Sequence, residues 1–590
     1  MDIYSILKLI GGLAFFLYGI SLMSSGLEKI AGGKLGQLLK KMTSNPIKSF
    51  ALGAFITAII QSSSAVTVML VGLVNSGIMN LSQTVSVIIG ANVGTTITAW
   101  ILSLTAIQES AGWVFKLLKP ETFSPVLALI GVIMMMAFKS NGRKSAGSVL
   151  IGFAILMTGM VFMSESMSPL ADIPEFKNLM IAFSNPILGL IAGIVITMLI
   201  QSSSASVGIL QALSLSGSIT WAAAIPIILG QNIGTCISAI LASIGVNTNA
   251  KRVAGVHIIF NIMGVCIYIP ILLFIQMVLH LKILNTNINP FGIAIFHTIF
   301  NISAAFILLP FSKVIENLTI KFIPENQSEN DKVVLLDERL LLNPTFAISE
   351  AYRKTLDMAK MAEFNLVNST KMLKIYRERI AQEINENETQ IDSYEYKINS
   401  FLLKLSGKEL TEENNNKISQ LLLVISDYER IADHTTNILK IAEKFNNSNQ
   451  KLSDDAVEEL KVIVNAVCEI YLISFNAYAN DDLKLAKKVE PLEAVIKKGV
   501  RRAKNNHILR LKEGKCSAET SFLFSDLLND LRRIAAHSSN IAISVVQLYD
   551  IKFNKHQYSH RNKEEDLEFN MKYRDYKYKY RVKKNKELTD

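Results

Sequence analysis

The chain has 590 residues, of which 50% are hydrophobic and 19% charged, with a formal net charge of +10 and a mean hydropathy of +0.31. That is too apolar for an ordinary soluble protein and too charged for one lying wholly in lipid, so a single uniform domain is excluded. Apolar runs dominate residues 1–310, whereas residues 326–590 hold most of the Lys, Arg, Asp and Glu; a membrane domain precedes a soluble one. Cys236, Cys266, Cys468 and Cys516 have neither CxxC nor Cys/His spacing, which leaves no basis for a zinc site or a disulfide framework.

In chain order, the first apolar segment carries only Lys8 near its start and no small-residue cleavage pattern, and reads as a retained membrane helix. Candidate crossings are residues 9–26, 83–105, 122–138, 146–164, 223–245, 253–277 and 291–313, each able to span roughly 30 Å of hydrocarbon. The stretches 46–78 and 186–217 differ. Their polar centres divide each into two arms of about 24 Å, which suits a helical hairpin that dips into the membrane and returns.

Loop charges orient these segments. Lys34, Lys40, Lys41 and Lys48 precede the first hairpin, while Glu165, Asp172 and Glu175 against Lys177 precede the second. By the positive-inside rule the first hairpin enters from the cytoplasm and the second from outside. Lys139, Arg143, Lys144, Lys251 and Arg252 then fall inside, which places the N-terminus outside and the C-terminal half in the cytoplasm.

An offset of 140 residues aligns 44–99 with 184–239 without a gap, with roughly two dozen identities in 56 positions. This is a duplication, and the opposite loop charges make it an inverted repeat of the kind secondary transporters use. Most of the identical positions are polar or conformational. They comprise Ser-Asn-Pro at the start, with Ser44 and Ser184 as expected helix starts; Gln-Ser-Ser-Ser-Ala at 61–65 and 201–205; and Gly90, Asn92, Gly94, Thr95 against Gly230, Asn232, Gly234, Thr235. Glycines flanking an Asn predict a place where a crossing helix unwinds.

Small residues in lipid also serve close helix packing. A second copy that repeats the Gln and Asn as well favours a ligand site. No Lys, Arg, Asp or Glu occurs between residues 49 and 108 or between 178 and 250. Such a site works with neutral groups: hydroxyl and amide oxygens for a hard cation such as Na+, backbone N–H groups at helix ends for an anion. Two helix ends offer about one positive charge, against the one to two negative charges of phosphate near neutral pH, so bound cations must supply the rest. An enzyme using an activated serine fails here, because neither triplet has a charged acid or base nearby in sequence.

The doubled QSSSA, with GANVGTT (90–96) and GQNIGTC (230–236), resembles the sodium/phosphate cotransporter family over about residues 1–313. The resemblance implies Na+-coupled movement of inorganic phosphate by alternating access. It implies substrate and ion roles for Gln61, Ser62, Ser63, Ser64, Asn92, Thr95 and Thr96, and for Gln201, Ser202, Ser203, Ser204, Asn232 and Thr235. Cys236 stands where the first copy has Thr96, and a thiol is a poor Na+ ligand. His257-x3-Asn261 and His297-x3-Asn301 fall on the last two crossings and read as a hydrogen-bonded scaffold contact.

From about 345 to 550 the apolar spacing of Ile431, Ile438, Ile441, Phe445 and of Ile534, Ile541, Val545, Leu548 predicts long amphipathic helices. A second duplication, at an offset of 103, aligns DYERIADHTTNI (427–438) with DLRRIAAHSSNI (530–541), which makes two three-helix units. This half resembles the PhoU family. Asp526 and Asp530 match that family's acidic pair and are candidates for a divalent metal, against a reading as solvated carboxylates; Leu423 and Ala536 break the pattern elsewhere.

The expectation is therefore an all-α, multi-pass cell-membrane protein. It comprises a transport domain at 1–320 with inverted repeats at about 44–105 and 184–245, a linker at 321–344, a PhoU-like domain at 345–550 and a disordered basic tail at 551–590. Its partners are phosphate, sodium and the lipid bilayer, without nucleic acid; beyond Na+ as coupling ion no cofactor is expected, and a homodimer stays open. The alternatives are a phosphate exporter or channel under control of the C-terminal domain, and a phosphate-sensing receptor without transport.

Overall fold

The computed structural model describes residues 3–42, 45–106, 120–138, 140–169, 173–279, 281–325, 336–408, 410–448, 451–549 and 567–582. Lys139 and Asp172 lie outside the described residues, as do residues 326–335 of the linker and most of the tail. Every extended regular element among the described residues is a helix. The chain divides into two units, Met1–Ala347 and Ile348–Asp590.

In the first unit α1 (Ile3–Met42) is followed by α2 (Pro46–Ile60), α3 (Ser63–Asn75), α4 (Leu81–Ser103), α5 (Pro120–Ala137) and α6 (Asn141–Met167). The second copy supplies α7 (Pro174–Ala182), α8 (Pro186–Ile200), α9 (Ser203–Ser214), α10 (Trp221–Gly234) and α11 (Cys236–Ala242). Then come α12 (Thr248–Phe274), α13 (Pro290–Leu308) and α14 (Ser312–Phe322). Seven helices among the described residues are long and apolar enough to cross a membrane. One of them, Asp454–Ala479, belongs to the second unit and is a core helix there, with Tyr471 and Tyr478 buried.

The hairpin arms are short, as expected. With 15 and 13 residues, α2 and α3 reach only about 22 and 20 Å. The cap is Asn, not Ser: Asn45 Oδ1 accepts from the backbone N–H of Ile47 at 2.9 Å, Asn185 Oδ1 from that of Ile187 at 3.0 Å, and Pro46 and Pro186 occupy the first turn, where no N–H is needed. Another correction concerns α1, which runs to Met42, so that Lys34, Lys40 and Lys41 lie on a helix and not in a loop.

Close backbone contact holds α1 to α6. A Cβ on Gly19 would sit 2.4 Å from the Leu156 nitrogen, and one on Gly159 2.4 Å from the Phe16 nitrogen. Small residues give helices in lipid this approach, and with it the dispersion contacts that replace a hydrophobic driving force. Lys8 and Glu165 pair at one end of this helix pair.

The second unit consists of α15 (Pro344–Met372), α16 (Glu378–Ser406), α17 (Glu412–Ser448), α18 (Asp454–Ala479), α19 (Leu483–Ala486), α20 (Val489–Lys512) and α21 (Ala518–Tyr549), with a further helix α22 (Leu567–Lys579). The apolar stripes predicted on α17 and α21 are the core: Ile431, Ile438, Ile534 and Ile541 are fully buried. The tail expected to be disordered is corrected over 567–582. There α22 packs on α20, Tyr576 and Val582 are buried, Arg502 Nη1 donates to the Val582 carbonyl at 3.0 Å, and Lys579 donates to Glu469 at 2.6 Å.

Candidate functional site at the Gln-Ser-Ser-Ser breaks

Each Gln-Ser-Ser-Ser block joins two helices end to end. Gln61 and Gln201 close α2 and α8 in the left-handed conformation, at φ 60° and 59°, and their N–H groups donate to the Thr57 and Thr197 carbonyls at 2.7 Å. A side chain other than Gly tolerates that backbone at a cost of about 1 kcal/mol or more, twice over at matched positions. Ser62 and Ser202 then return to extended backbone and cap α3 and α9, each hydroxyl accepting from the N–H of Ala65 or Ala205 at 3.2 Å. The polar residues thus satisfy backbone groups that a break at membrane depth would otherwise orphan. Ser63, Ser64, Ser203 and Ser204 open the first turns, at the positive ends of α3 and α9.

The two copies meet through their second arms. The first arms pack on their own copy's span, α2 on α4 and α8 on α10, while the second arms pack on the spans of both copies, α3 on α4 and α11, and α9 on α10 and α4. Ser238 on α11 donates to Ser64 Oγ at 2.9 Å, and Gln211 on α9 donates to the Ala99 carbonyl on α4 at 3.0 Å. These bonds set Ser64 of the first copy against the span of the second, and Gln211 of the second against the span of the first. Asn92 and Asn232 donate to the carbonyls of Ile88 and Ile228, at 3.0 and 2.9 Å, which leaves each Oδ1 as an acceptor. Thr95 and Thr235 make the same bond one turn back, to Ala91 and Gln231, and Thr96 bonds the Val93 carbonyl.

The copies are alike in chemistry and unlike in conformation. Gln61 is buried and its Oε1 accepts from Thr98 at 2.7 Å; Gln201 is exposed. Span α4 runs unbroken through Gly90–Thr96, and its counterpart continues from α10 into α11 through Thr235, which keeps helical backbone (φ −60°, ψ −26°) and donates its N–H to the Gln231 carbonyl at 3.1 Å. The expectation that the glycines mark unwinding is corrected: a Cβ on Gly90 would lie 2.0 Å from the Phe50 carbonyl oxygen, and one on Gly230 2.0 Å from that of Leu190. Gly53 and Gly193 press in the same way on Val87 and Ile227, at 2.1 Å. They are contact surfaces between the hairpin and its span.

Cys236 Sγ approaches the His257 carbonyl on α12 at 3.6 Å, and Asn261 Nδ2 donates to it at 3.5 Å. Of the interhelical contact expected of the two His/Asn pairs, the bond from Asn261 on α12 to Cys236 on α11 is present, and among the described residues no hydrogen bond joins one pair to the other. Asn261 and Asn301 bond the His257 and His297 carbonyls on their own helices, and both ring nitrogens of His257 and Nδ1 of His297 are buried without a hydrogen-bond partner.

In the second unit Asp530 accepts from His434 at 2.9 Å and Asp427 from His537 at 2.8 Å, so the duplicated helices exchange His–Asp pairs, with the imidazoles stacked at 5.9 Å. No group of three or more His, Cys, Asp or Glu among the described residues is arranged to hold a metal ion, Asp526 and Asp530 included. A carboxylate cluster that sequence reasoning passed over joins α16 to α17. Burial pushes Glu388 up to about 7, with Asp433 and Asp392 beside it, and pushes Glu429 up to about 7, with Asp433, Glu395 and Asp392 as neighbours. Its signal was there to read, as Glu-x3-Asp occurs at 388–392 and again at 429–433. Thr98 and Ser238 were legible too, being equivalent hydroxyls at the 140-residue offset.

The model of the Na+/Pi-cotransporter family matches this chain twice, over residues 15–165 and 155–296. The protein YqeW of Bacillus subtilis, which is uncharacterized, is 30% identical over 259 residues, which is 44% of this chain and 80% of that protein. The chain belongs to the Na+/Pi-cotransporter family. In this cotransporter-family chain the PhoU domain model matches residues 355–442 and 461–545, so the second unit is duplicated as well. The "Putative inorganic phosphate export protein YjbB" of Escherichia coli K12 is 23% identical over 561 residues, 94% of this chain and all of that protein. The human "Sodium-dependent phosphate transport protein 2B" is 31% identical over 106 residues, 18% of this chain and 15% of that protein. As a family member with several membrane-length helices, this is a multi-pass phosphate-transport protein carrying PhoU domains.

Proposed function

We propose that the protein is a secondary carrier that moves inorganic phosphate together with Na+ by alternating access, its second unit facing the cytoplasm and regulating flux. The observation that carries this reading is the pair of Gln-Ser-Ser-Ser breaks, the first tied to the second copy by the Ser238–Ser64 bond, within spans that hold no charged side chain. Two helix N-termini supply about one positive charge; phosphate brings between one and two negative charges. Cations bound by hydroxyl and amide oxygens of Ser63, Ser64, Asn92, Thr95 and Thr96, and of Ser203, Ser204, Asn232 and Thr235, would offset the difference. Phosphate and Na+ then bind together or hardly at all, which is the coupling a symporter needs. The opposite charges ahead of the two repeats, on the last turns of α1 in the first copy and around α7 in the second, support an inverted arrangement of the copies. Their unequal state, Gln61 buried and bonded while Gln201 is exposed, is what a carrier stopped on one side of its cycle would have.

The test is reconstitution of the full chain in liposomes with radiolabelled phosphate outside. Uptake should require an inward Na+ gradient, fail when K+ replaces Na+, and fall at least tenfold in Ser63→Ala and Ser203→Ala. Uptake indifferent to Na+ would refute the coupling. A second reading, regulated export, draws on the name of the Escherichia coli relative; release from phosphate-loaded vesicles with no Na+ on either side would favour it.

A further inference from the structure

Outside the family-matched residues, the segment just ahead of the second unit packs back on α3. Asp337 and a short 3-10 turn, Glu338–Leu342, lie against α3. Gly72 on α3 leaves the room, since a Cβ there would meet Leu340 at 3.2 Å and Arg339 at 3.3 Å.

Three distant parts of the chain meet at this point. Asn75 ends α3 and is buried; its Nδ2 donates to Asp337 Oδ2, its Oδ1 accepts from the Asn247 N–H at 2.9 Å, and its carbonyl accepts from Asn247 Nδ2 at 3.1 Å. Asp337, exposed by only 2%, is held by Arg339 Nη1 at 2.9 and 3.1 Å and by the Arg339 N–H at 2.8 Å. Arg339 in turn donates from Nε to the Ala242 carbonyl at 2.7 Å and from Nη2 to the Ile244 carbonyl at 2.8 Å, closing the C-terminal end of α11. A carboxylate buried this deeply is tolerable only with such partners. The planar guanidinium fork suits a carboxylate and two carbonyls at once, which an ammonium does not.

The ends tied here are the far ends of α3 and α11. At their near ends the same two helices carry Ser64 and Ser238, the hydroxyl pair that joins the copies. We infer that Asp337 and Arg339 are positioning residues of the carrier. They clamp α3 of the first copy and α11 of the second into one body, and so fix the spacing of Ser64 and Ser238 at the site. This rests on the function proposed above. Because the clamp continues directly into α15, it is also the covalent route by which the second unit would act on the site.

The test measures equilibrium phosphate binding and liposome uptake for Arg339→Met and for the near-isosteric Asp337→Asn, each alone and on a Ser64→Ala background, with Arg339→Lys alongside. If Arg339→Met fails to fold, Asp337→Asn carries the comparison. Each single variant should raise half-saturating phosphate on the order of fivefold, the size of a typical coupling between residues sharing a network, while the maximal rate stays within about twofold and Arg339→Lys recovers part of the affinity. Combined with Ser64→Ala, neither should weaken binding beyond the larger single effect, because both act through one contact. Unchanged half-saturation in both variants, or effects that multiply with Ser64→Ala, would overturn the positioning role. A wild-type protein that binds no phosphate at any Na+ concentration would instead sink the carrier reading itself, so the two failures are distinguishable.

Discussion

Replacing Gly90 by Ala separates two meanings of the repeated glycines. In the structure the added Cβ would stand 2.0 Å from the Phe50 carbonyl oxygen, and such contacts are essentially never below 3.0 Å, so α2 and α4 must part by about 1 Å. The obstacle is backbone, which cannot rotate away, and Gly53 and Gly94 close the same interface at 2.1 and 2.4 Å. Overpacking of this kind costs about 1–3 kcal/mol, and the rigid partner puts Gly90→Ala near the upper end. At ~2–4 °C per kcal/mol for a unit of this order of size, the melting temperature of the detergent-solubilised protein should fall by roughly 4–10 °C, with phosphate uptake reduced. Gly230→Ala should match it, as the Leu190 carbonyl lies at 2.0 Å. Gly11→Ala is the control: nothing lies within 4 Å, and the better helix propensity of Ala should leave stability unchanged or raised by up to ~1 kcal/mol. If Gly90→Ala behaves like Gly11→Ala, the helices are not in backbone contact there and the packing argument is wrong.

Arg510 and Glu459 form a buried bidentate pair, at 3.0 and 2.9 Å, which Asn506 joins at 2.7 Å. Arg510→Met strands the carboxylate and should destabilise the second unit by about 3–5 kcal/mol in denaturant titration; a loss below 1 kcal/mol would contradict that pairing. Glu388 and Glu429 bind protons more tightly folded than unfolded, since both carboxyls are pushed up to about 7. Between the ordinary carboxylate value and about 7 the folded state holds the extra protons, so stability should fall as pH rises through that window, and Glu388→Gln and Glu429→Gln should each flatten the decline; a second-unit melting temperature that rises over the same window would contradict the cluster. Ser238→Ala removes the donor to Ser64 and should cost only ~1 kcal/mol of stability while weakening phosphate affinity severalfold; a melting shift without an affinity change would make that contact merely structural.

Much of this was legible in the sequence, for identifiable reasons. Strong periodicity and a gap-free repeat exposed the paired short helices, because arms of 15 and 13 residues cannot span a bilayer and polar blocks in lipid stand out. Finer local chemistry was misread. Ser44 and Ser184 looked like caps, yet Asn45 and Asn185 hold the bond, because a Pro at the first helical position fixes which residue precedes it. Gly90 and Gly230 looked like points of unwinding because sequence shows a missing side chain without showing what fills the space. Nothing in the letters announces that Cys236 reaches toward the His257 carbonyl on another helix. The clamp at Asp337 and Arg339 was hidden by distance along the chain, its partners lying 262 and 97 residues away.

The account turns on a site without formal charge that holds an anion only alongside cations. Equilibrium binding of radiolabelled phosphate to the purified full chain, titrated against Na+ at constant ionic strength with K+ as replacement, tests this directly. The prediction is binding that is negligible in K+ and tightens at least tenfold across the Na+ titration, and that Ser63→Ala and Ser203→Ala each abolish. Equal affinity in K+ and Na+ would contradict it.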